Sequence, residues 1–156
     1  MMKELTKERL IELGVTDVTE DGIVYVHGKV QKLKVITLKH NNGNNKDYPA
    51  IWLQDKKVKR DCIQKYKTKS GEVRTYHGWV YRVETIPLAR VMLAWFNGKI
   101  GAKEDADHID NDPFNNHLSN LRPISRRENL AKRFLDHPDY PYTYFNQYRN
   151  LKKQGE

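Results

Sequence analysis

The sequence has a single cysteine, Cys62, among its 156 residues. One thiol cannot close an intramolecular disulfide, and it cannot supply the paired cysteines of a zinc ribbon. The sequence therefore predicts no disulfide framework and no structural zinc. We expect Cys62 itself to be a half-buried thiol in a strand.

Long apolar runs are missing as well. No segment approaches the length of a membrane span and no signal peptide is visible, so we expect a cytoplasmic protein without a membrane partner. There is no repeat and no low-complexity linker. The 18.4 kDa chain, with 38% hydrophobic residues, has the size of one domain, or of a small domain with an extension.

Acidic side chains are in the minority, and the net charge is +8 with a pI of about 9.5. The surplus lies in residues 29–90, which hold fifteen basic and five acidic side chains. This balance favours a polyanionic partner, although a lysine-rich surface can also simply confer solubility. Composition alone does not separate these two interpretations.

Local patterns predict one short helix and several strands before residue 76. Thr6 is a suitable N-cap for a helix over residues 6–13, and Gly14 ends that helix. β-Branched, aromatic and alternating stretches predict strands over residues 23–26, 30–38 and 48–53. Residues 63–66 and 73–76 flank a turn at Ser70-Gly71, which indicates a hairpin.

The strongest helix pattern covers residues 86–97. Pro87 suits the first turn of this helix, and Gly98 ends it. The apolar stripe that we expect to face the core consists of Leu88, Val91, Met92, Trp95 and Phe96.

Residues 105–133, DADHIDNDPFNNHLSNLRPISRRENLAKR, concentrate side chains suited to metal binding and proton transfer. The expected order of elements is strand, loop, strand and helix. Ser125 and Glu128 form a capping box, which starts the helix at about Arg126. Asn129, just inside this helix, can point back at the hairpin that carries Asp107 and His108.

This segment resembles the ββα-metal motif of HNH endonucleases, and within them the phage and intron homing branch. The resemblance is carried by D-H-I-D at 107–110, N-N-H-L-S-N-L-R at 115–122 and E-N at 128–129, and it covers residues 76–134 with the preceding helix. It implies that His108 is the general base and that Asp107 and Asn129 bind one divalent cation. Asn120 would brace the loop. We count Asn120 and Asn129, together with His108, among the catalytic residues.

The resemblance implies metal-assisted hydrolysis of phosphodiester bonds in double-stranded DNA, by a nick or a double-strand break. Asp and Asn offer only oxygen ligands, which favours Mg²⁺ or Mn²⁺. A homing endonuclease, phage-encoded and acting inside a host cell, is the leading interpretation. The alternatives are a non-homing HNH nuclease of DNA packaging, restriction or repair, and a DNA-binding protein with an idle nuclease centre.

Other polar residues of the motif have structural alternatives. His117 lies in the turn without an adjacent acid, so it is a weaker candidate for the base than His108. Arg122 either contacts phosphate or forms a salt bridge inside the motif. Short polar side chains of the loop are expected to form turns by bonding nearby backbone; they are Asp110, Asn111, Asp112, Asn115 and Asn116.

We expect DNA contacts from basic side chains of the β region and of the motif. Such side chains could track a phosphate backbone from one side of a twisted sheet, although lysines of a one-faced sheet also simply face water. The predicted contacts are Lys56, Lys57, Lys59, Arg60, Lys65, Lys67, Arg74, Arg122, Arg126 and Arg133.

The predicted fold class is α+β, with a β-rich N-terminal region followed by a helix and the ββα-metal motif. We divide the chain into a basic, DNA-contacting β region at 1–75, a nuclease core at 76–134 that includes the helix 86–97, and an extension at 135–156. The extension interleaves aromatic and basic residues. These could stack on bases, or a helix over residues 144–153 could pack on the core.

Overall fold

The computed structural model describes residues 2–38 and 45–136, apart from the side chains of Phe134 and Asp136. The described part holds three α-helices, a short 3₁₀ turn and ten strands, in an α+β arrangement that confirms the predicted class. The helices are α1 (Lys7–Glu12), α2 (Leu88–Asn97) and α3 (Arg126–Asp136). The strands are β1 (Leu5–Thr6), β2 (Val15–Val18), β3 (Val24–Val26), β4 (Lys29–Val30), β5 (Lys34–Leu38), β6 (Lys46–Lys67), β7 (Val73–Pro87), β8 (Lys99–Ile100), β9 (Glu104–His108) and β10 (Leu121–Ser125).

The N-terminal helix has the predicted cap. The Thr6 hydroxyl accepts a hydrogen bond from the backbone N–H of Arg9 at 3.1 Å, and the helix runs from Lys7 to Glu12. Arg9 then joins α1 to the base of the longest hairpin, because its guanidinium donates to Asp55 and Glu84, both at 2.6 Å. Together with the backbone N–H of Lys57, Arg9 lowers the pKa of the Asp55 carboxyl.

The strand predicted over residues 30–38 is wrong as one element. A tight hairpin joins β3 to β4, with Val26 opposite Lys29, and its two loop residues have positive φ: 50° at His27 and 73° at Gly28. This backbone twist suits a two-residue hairpin loop. Residues 29–30 therefore pair with β3, whereas β5 joins the separate sheet β5-β6-β7.

The hairpin predicted around Ser70-Gly71 is confirmed, but it is far longer than expected. β6 and β7 pair from Ala50 opposite Pro87 to Lys67 opposite Val73, with an irregular register between Asp55 and Lys59. We call residues 56–83 of this hairpin the ribbon. Almost every residue of the ribbon is exposed or half-buried, on both faces. The proposed division between residues 75 and 76 falls inside β7, and the three-part division of the chain stays a prediction.

The core is organised around α2. The helix begins at Leu88 and not at residue 86, because β7 continues to Pro87, whose extended backbone (ψ 136°) precedes the first turn. Leu88, Val91 and Met92 are buried as predicted, whereas Phe96 is 38% exposed. Residues from α1, β2, β3, β6 and β10 complete the same apolar cluster. Cys62 is a free, half-buried thiol in β6, as predicted.

Arg90 is a buried charge on the otherwise apolar helix α2. Its guanidinium donates to the backbone carbonyl oxygens of Glu104 at 2.8 Å, Lys3 at 2.9 Å and Gly101 at 3.3 Å. Burial lowers its pKa, and the nearby carboxylates of Asp105 and Glu104 oppose this shift. Arg90 therefore fastens the N-terminal segment and the start of β9 to the core.

Within the described residues, no helix is both long and apolar enough to cross a membrane. The predicted C-terminal helix over residues 144–153 lies outside the described part of the chain.

Candidate active site

Strands β9 and β10 and helix α3 form the predicted ββα unit. The strands are antiparallel, with His108 opposite Leu121 and Asp107 opposite Arg122. Helix α3 follows β10 directly, and its capping box is confirmed. Glu128 N–H donates to the Ser125 hydroxyl at 3.2 Å, while Ser125 N–H donates to the Glu128 carboxylate at 2.8 Å, which lowers the pKa of Glu128. This start orients the helix across β9.

Two acids of β9 face two polar side chains of α3. Asp105 and Asp107 share one side of the strand because their side chains are two residues apart. Asn129 and Lys132 share one side of the helix because they are three residues apart. The Asn129 amide donates to Asp105 at 3.0 Å, and the Lys132 ammonium donates to Asp107 at 2.8 Å.

Asp107 is buried, and both of its carboxylate oxygens are paired. Lys132 Nζ bonds one oxygen and also donates to the backbone carbonyl of His108 at 2.9 Å, while Arg122 Nε donates to the other oxygen at 2.8 Å. Of the two alternatives for Arg122, the structure contains the salt bridge inside the motif. Half of the Arg122 side chain is nevertheless exposed.

Asn129 does not contact Asp107 through a hydrogen bond that we observe; it bonds Asp105 instead. A carboxylate only accepts hydrogen bonds, so the group that faces Asp105 is the NH₂ of the Asn129 amide. The amide oxygen then points to a different side and is oriented as a separate acceptor. Arg126 also reaches Asp105, at 3.3 Å, and holds this carboxylate at the helix start.

His108 is buried and bonded to the loop. Its Nε2 lies 2.9 Å from Asn116 Oδ1, and the Asn116 NH₂ donates to the carbonyl of Pro113 at 3.0 Å. Because that carbonyl can only accept, Asn116 presents its oxygen to the imidazole, and Nε2 must carry the proton. In the neutral ring the lone pair is then on Nδ1.

The loop between β9 and β10 is held by polar side chains, as predicted. Asn120 accepts from Asp110 N–H at 3.1 Å and donates to the Asp110 carboxylate at 2.9 Å and to the carbonyl of Asn115 at 2.8 Å. Hydrogen bonds from Asn115, from the Asp112 backbone and from Asn120 lower the pKa of Asp110 to about 2. These contacts are the ones that a bracing role for Asn120 requires.

His117 has a local role at the other end of the loop. Its Nδ1 accepts from Ser119 N–H at 3.2 Å and caps the short 3₁₀ turn Leu118–Asn120. His117 thus has a structural role in the turn, and within the described part of the chain the structure shows no hydrogen bond between it and Asp107, whereas His108 directly follows Asp107 on β9.

Three residues near the predicted site were missing from the sequence prediction of site residues: Asp105, Asn116 and Lys132. Asp105 could have been predicted from strand alternation, since it lies two residues before Asp107. Lys132 could have been predicted from helix spacing, since it lies three residues after Asn129. Nothing in the sequence distinguishes Asn116 from the other loop asparagines.

The predicted DNA contacts divide between the ribbon and the motif. Arg122 and Arg126 bond Asp107 and Asp105, and Arg133 is half-buried on α3. Burial raises the pKa of the Tyr48 phenol, and the charge of Arg133 opposes this shift, which locates Arg133 near β6. Arg133 therefore faces the body of the protein as well as solvent.

The ribbon carries its charges on both faces, so the expectation of basic residues on one side is wrong. Directly opposite residues share a face, and neighbours along a strand alternate. The irregular register between Asp55 and Lys59 places Lys56 and Lys57 in a bulge. By this register one face holds Lys59, Lys65, Lys67, Tyr81 and Trp79. The other face holds Arg60, Arg74, Tyr66 and Tyr76.

The donor set fits a divalent cation with few protein ligands. Asp107 offers carboxylate oxygens. Asn129 offers the oxygen of its side-chain amide, because the NH₂ of the same amide is turned toward Asp105. Oxygen donors of this kind suit Mg²⁺, which keeps several waters and uses few carboxylates. Among the residues that the structure describes, no cluster of three or more His, Cys, Asp or Glu side chains is arranged for a metal. Water and substrate would therefore complete the coordination.

A comparison with known protein families finds a match to this unit. The sequence pattern of the HNH endonuclease family matches residues 88–131, from the start of α2 into α3. A solved structure, described as DNA binding and cleavage by the HNH homing endonuclease I-HmuI, matches 97% of this chain and 68% of its own, with a TM-score of 0.48 and 19% identity. No curated protein sequence matches the chain. The family match spans the elements that carry Asp107, His108 and Asn129, and this segment of the chain is similar to the HNH endonucleases.

Proposed function

We propose that the protein is a metal-dependent DNA endonuclease that hydrolyses phosphodiester bonds, with His108 as the general base. The observation that carries this proposal is the bond from His108 to Asn116 at 2.9 Å. It holds an imidazole with one free nitrogen at the end of the strand that also bears Asp107.

The proton transfer would take place at Nδ1 of His108. Asn116 fixes the proton on Nε2, so Nδ1 can accept a proton from the attacking water. The side-chain oxygen Oδ1 of Asn116 also stabilises the imidazolium that forms, because Nε2–H remains bonded to it. The loop that holds Asn116 is itself braced by Asn120, which gives Asn120 a positioning role.

Asp107 and Asn129 would hold the divalent cation. When bound, this ion polarises the phosphate and stabilises the negative charge that develops on the leaving oxygen. Asp105 orients the Asn129 amide, and Arg122 keeps the Asp107 carboxylate in place. Mg²⁺ or Mn²⁺ is the ion that this oxygen-only donor set favours.

The ribbon would bind the DNA duplex. A two-stranded antiparallel ribbon fits the major groove, and its lysines and arginines can pair with phosphates. Exposed aromatic side chains add apolar contact area: Trp79 is 65% exposed and Tyr76 is 50% exposed. Arg126 and Arg133, on α3 beside the site, would contact phosphates near the cleaved bond.

We propose the homing type as the biological role, on the basis of the motif resemblance at residues 107–129. A homing endonuclease cuts a long, loosely defined site, whereas a nuclease of packaging or restriction cuts more generally. Cleavage of random plasmid DNA compared with a library of genomic fragments separates the two. Enrichment of one locus supports homing, and equal cutting of all fragments contradicts it.

Nicking of supercoiled plasmid with and without Mg²⁺ tests the nuclease activity. We expect the parent protein to nick only with the metal, and His108→Ala to cleave at least ~100-fold more slowly, as is typical for loss of a general base. His117→Asn is the matched control, because it removes a neighbouring imidazole and keeps an acceptor for the N–H of Ser119. Equal rates for the parent and His108→Ala would remove His108 from the mechanism.

A further inference from the structure

We propose that the Lys132 ammonium is an internal competitor of the divalent cation at Asp107, and that DNA relieves this competition. The inference rests on the proposed function, because it concerns the same carboxylate. It assigns to Lys132 a positioning and regulatory role: metal binding becomes tight only when a duplex is present.

The position of Lys132 carries the first step. Its Nζ lies 2.8 Å from Asp107 Oδ1 and 2.9 Å from the backbone carbonyl of His108. Two oxygen atoms thus coordinate the ammonium as they would a small cation. The Lys132 side chain is 18% exposed and the Asp107 side chain only 6%, so this pair is shielded from solvent screening.

The charge around Asp107 carries the second step. A single carboxylate already faces two cationic groups, Lys132 on one oxygen and Arg122 on the other. A divalent cation that binds the same carboxylate is repelled by both, and it must replace at least one hydrogen bond. Asn129 adds only a neutral oxygen and cannot compensate for this repulsion. The free protein should therefore bind metal weakly.

The two cationic side chains differ in their freedom to leave. Lys132 is a point charge on a flexible stem, and it lies one helical turn from Asn129, on the side of α3 where the cation would bind. Arg122 lies on β10, directly across from Asp107, and its guanidinium bonds the carboxylate oxygen that Lys132 does not, so Arg122 can stay in place while Lys132 leaves. Lys132 is thus the group that can move toward another anion without disturbing the ββα unit.

A DNA phosphate at the site supplies that anion. When the ammonium transfers from Asp107 to a phosphate oxygen, Asp107 regains a free oxygen, and the repulsion between Lys132 and the metal decreases. Metal and DNA then strengthen each other's binding, as linkage requires. This arrangement would keep the isolated protein from assembling a nuclease centre before it meets a duplex.

The experiment is a Mn²⁺ titration of the full chain, read by the EPR signal of free Mn²⁺, with and without a saturating DNA duplex. All variants carry His108→Ala, so that the duplex is cut at least ~100-fold more slowly during the titration. We expect Lys132→Met to bind Mn²⁺ at least about tenfold more tightly without DNA, within the usual range of coupling between sites. The duplex should strengthen Mn²⁺ binding in the parent background and have a smaller effect in Lys132→Met.

Two controls separate this effect from a general loss of charge or of folding. Lys99→Met removes an exposed lysine of β8 and should leave Mn²⁺ affinity unchanged. Lys132→Arg keeps the charge and should retain weak binding in free protein and the gain from DNA. If Lys132→Met is unfolded by circular dichroism, Lys132→Gln takes its place with the same expectation.

Unchanged or weaker Mn²⁺ affinity in Lys132→Met overturns the inference, and so does tight Mn²⁺ binding by the parent background without DNA. Failure of the proposed function has a different result. If protein with an intact His108 never cleaves DNA, but Lys132→Met still tightens Mn²⁺ binding, the competition stands and the nuclease proposal fails. If it cleaves and Lys132→Met changes nothing, only the inference about Lys132 fails.

Discussion

The amide of Asn129 donates a hydrogen bond to Asp105, not to Asp107, at 3.0 Å. Two acids on the same side of β9 thus have different partners on α3, because Lys132 takes Asp107. Asp105 orients the amide and is also reached by Arg126, whereas Asp107 is paired with two cationic side chains, Lys132 and Arg122. The ββα unit therefore contains a support for its proposed ligand Asn129 as well as the ligand itself.

Replacing Asp105 should disturb metal binding through Asn129. In Asp105→Ala the Asn129 amide is free to turn, so we expect weaker Mn²⁺ binding in the presence of DNA and slower cleavage, each by about tenfold, the smaller end of losses seen when an outer-shell partner is removed. Asp105→Asn keeps an acceptor for the Asn129 NH₂ and should retain more affinity than Asp105→Ala. Mn²⁺ titration of both variants is the measurement. If the two variants bind Mn²⁺ equally, and both more weakly than the parent, Asp105 acts through its charge alone.

Replacing Asn116 should affect the base and spare DNA binding. In Asn116→Ala the proton of His108 is no longer held on Nε2, and both tautomers become populated. We expect cleavage to fall by about tenfold or more, since general-base catalysis depends on the correct nitrogen being free. Single-turnover cleavage and duplex affinity are measured side by side. Asn97→Ala, at the exposed end of α2, controls for the loss of an asparagine, and a drop in affinity without a drop in rate would contradict the role of Asn116.

The two faces of the ribbon should differ in their effect on DNA binding. We expect replacement of Lys59, Lys65 and Lys67 by alanine to weaken binding to all sequences. The slope of log affinity against log salt should flatten by about 0.9 for each lost phosphate contact. The pair Arg60 and Arg74, on the opposite face, should have less effect. Affinity measured at several salt concentrations decides between the faces.

A matched control for the ribbon removes the same number of charges elsewhere. Lys3, Lys29 and Lys99 are exposed and lie outside the ribbon, in the N-terminal segment, β4 and β8. Their triple replacement should leave the salt slope close to that of the parent. An equal change in slope for both triple variants would mean that net charge, and not the ribbon, determines DNA affinity.

The local parts of the site could be predicted because their signals are local. The capping box of Ser125 and Glu128 determines where α3 begins, whatever the helix packs against. The loop aspartates bond backbone groups two residues further along the chain, as at Asp110 and Asp112. Such contacts depend on spacing along the chain, which a sequence displays directly.

The remaining features depend on how distant segments dock. The ribbon was predicted too short because neither of its faces is buried, so its alternation carries no apolar signal that separates strand from loop. Arg90 stands within an apolar stripe, and its three carbonyl partners come from two other segments. The spacing of Lys132 along α3 predicts that it lies on the same side of the helix as Asn129. The spacing does not predict that Lys132 pairs with Asp107. These contacts are set by tertiary packing, which no local pattern encodes.

The Asp110 carboxylate should make loop stability depend on acidity. Its pKa is lowered from 3.8 to about 2 by hydrogen bonds from Asn115, the Asp112 backbone and Asn120. A carboxyl with a depressed folded pKa stabilises the protein above its unfolded pKa and loses this contribution as the pH falls toward its folded pKa. Asp110→Asn cannot titrate, so it should be less stable than the parent at about pH 7, and the difference should narrow between about pH 4 and pH 2.

Urea unfolding of the parent and Asp110→Asn from about pH 7 down to about pH 3 measures this effect. With these two pKa values, roughly half of the stability difference should be gone at about pH 3. Asp61→Asn is the control, because it removes one carboxylate from an exposed position on the ribbon. If Asp61→Asn shows the same pH dependence, the effect comes from net charge. If the gap between the parent and Asp110→Asn stays constant with pH, the hydrogen bonds to Asp110 do not favour its ionised form, and the loop is held by Asn120 and the backbone instead.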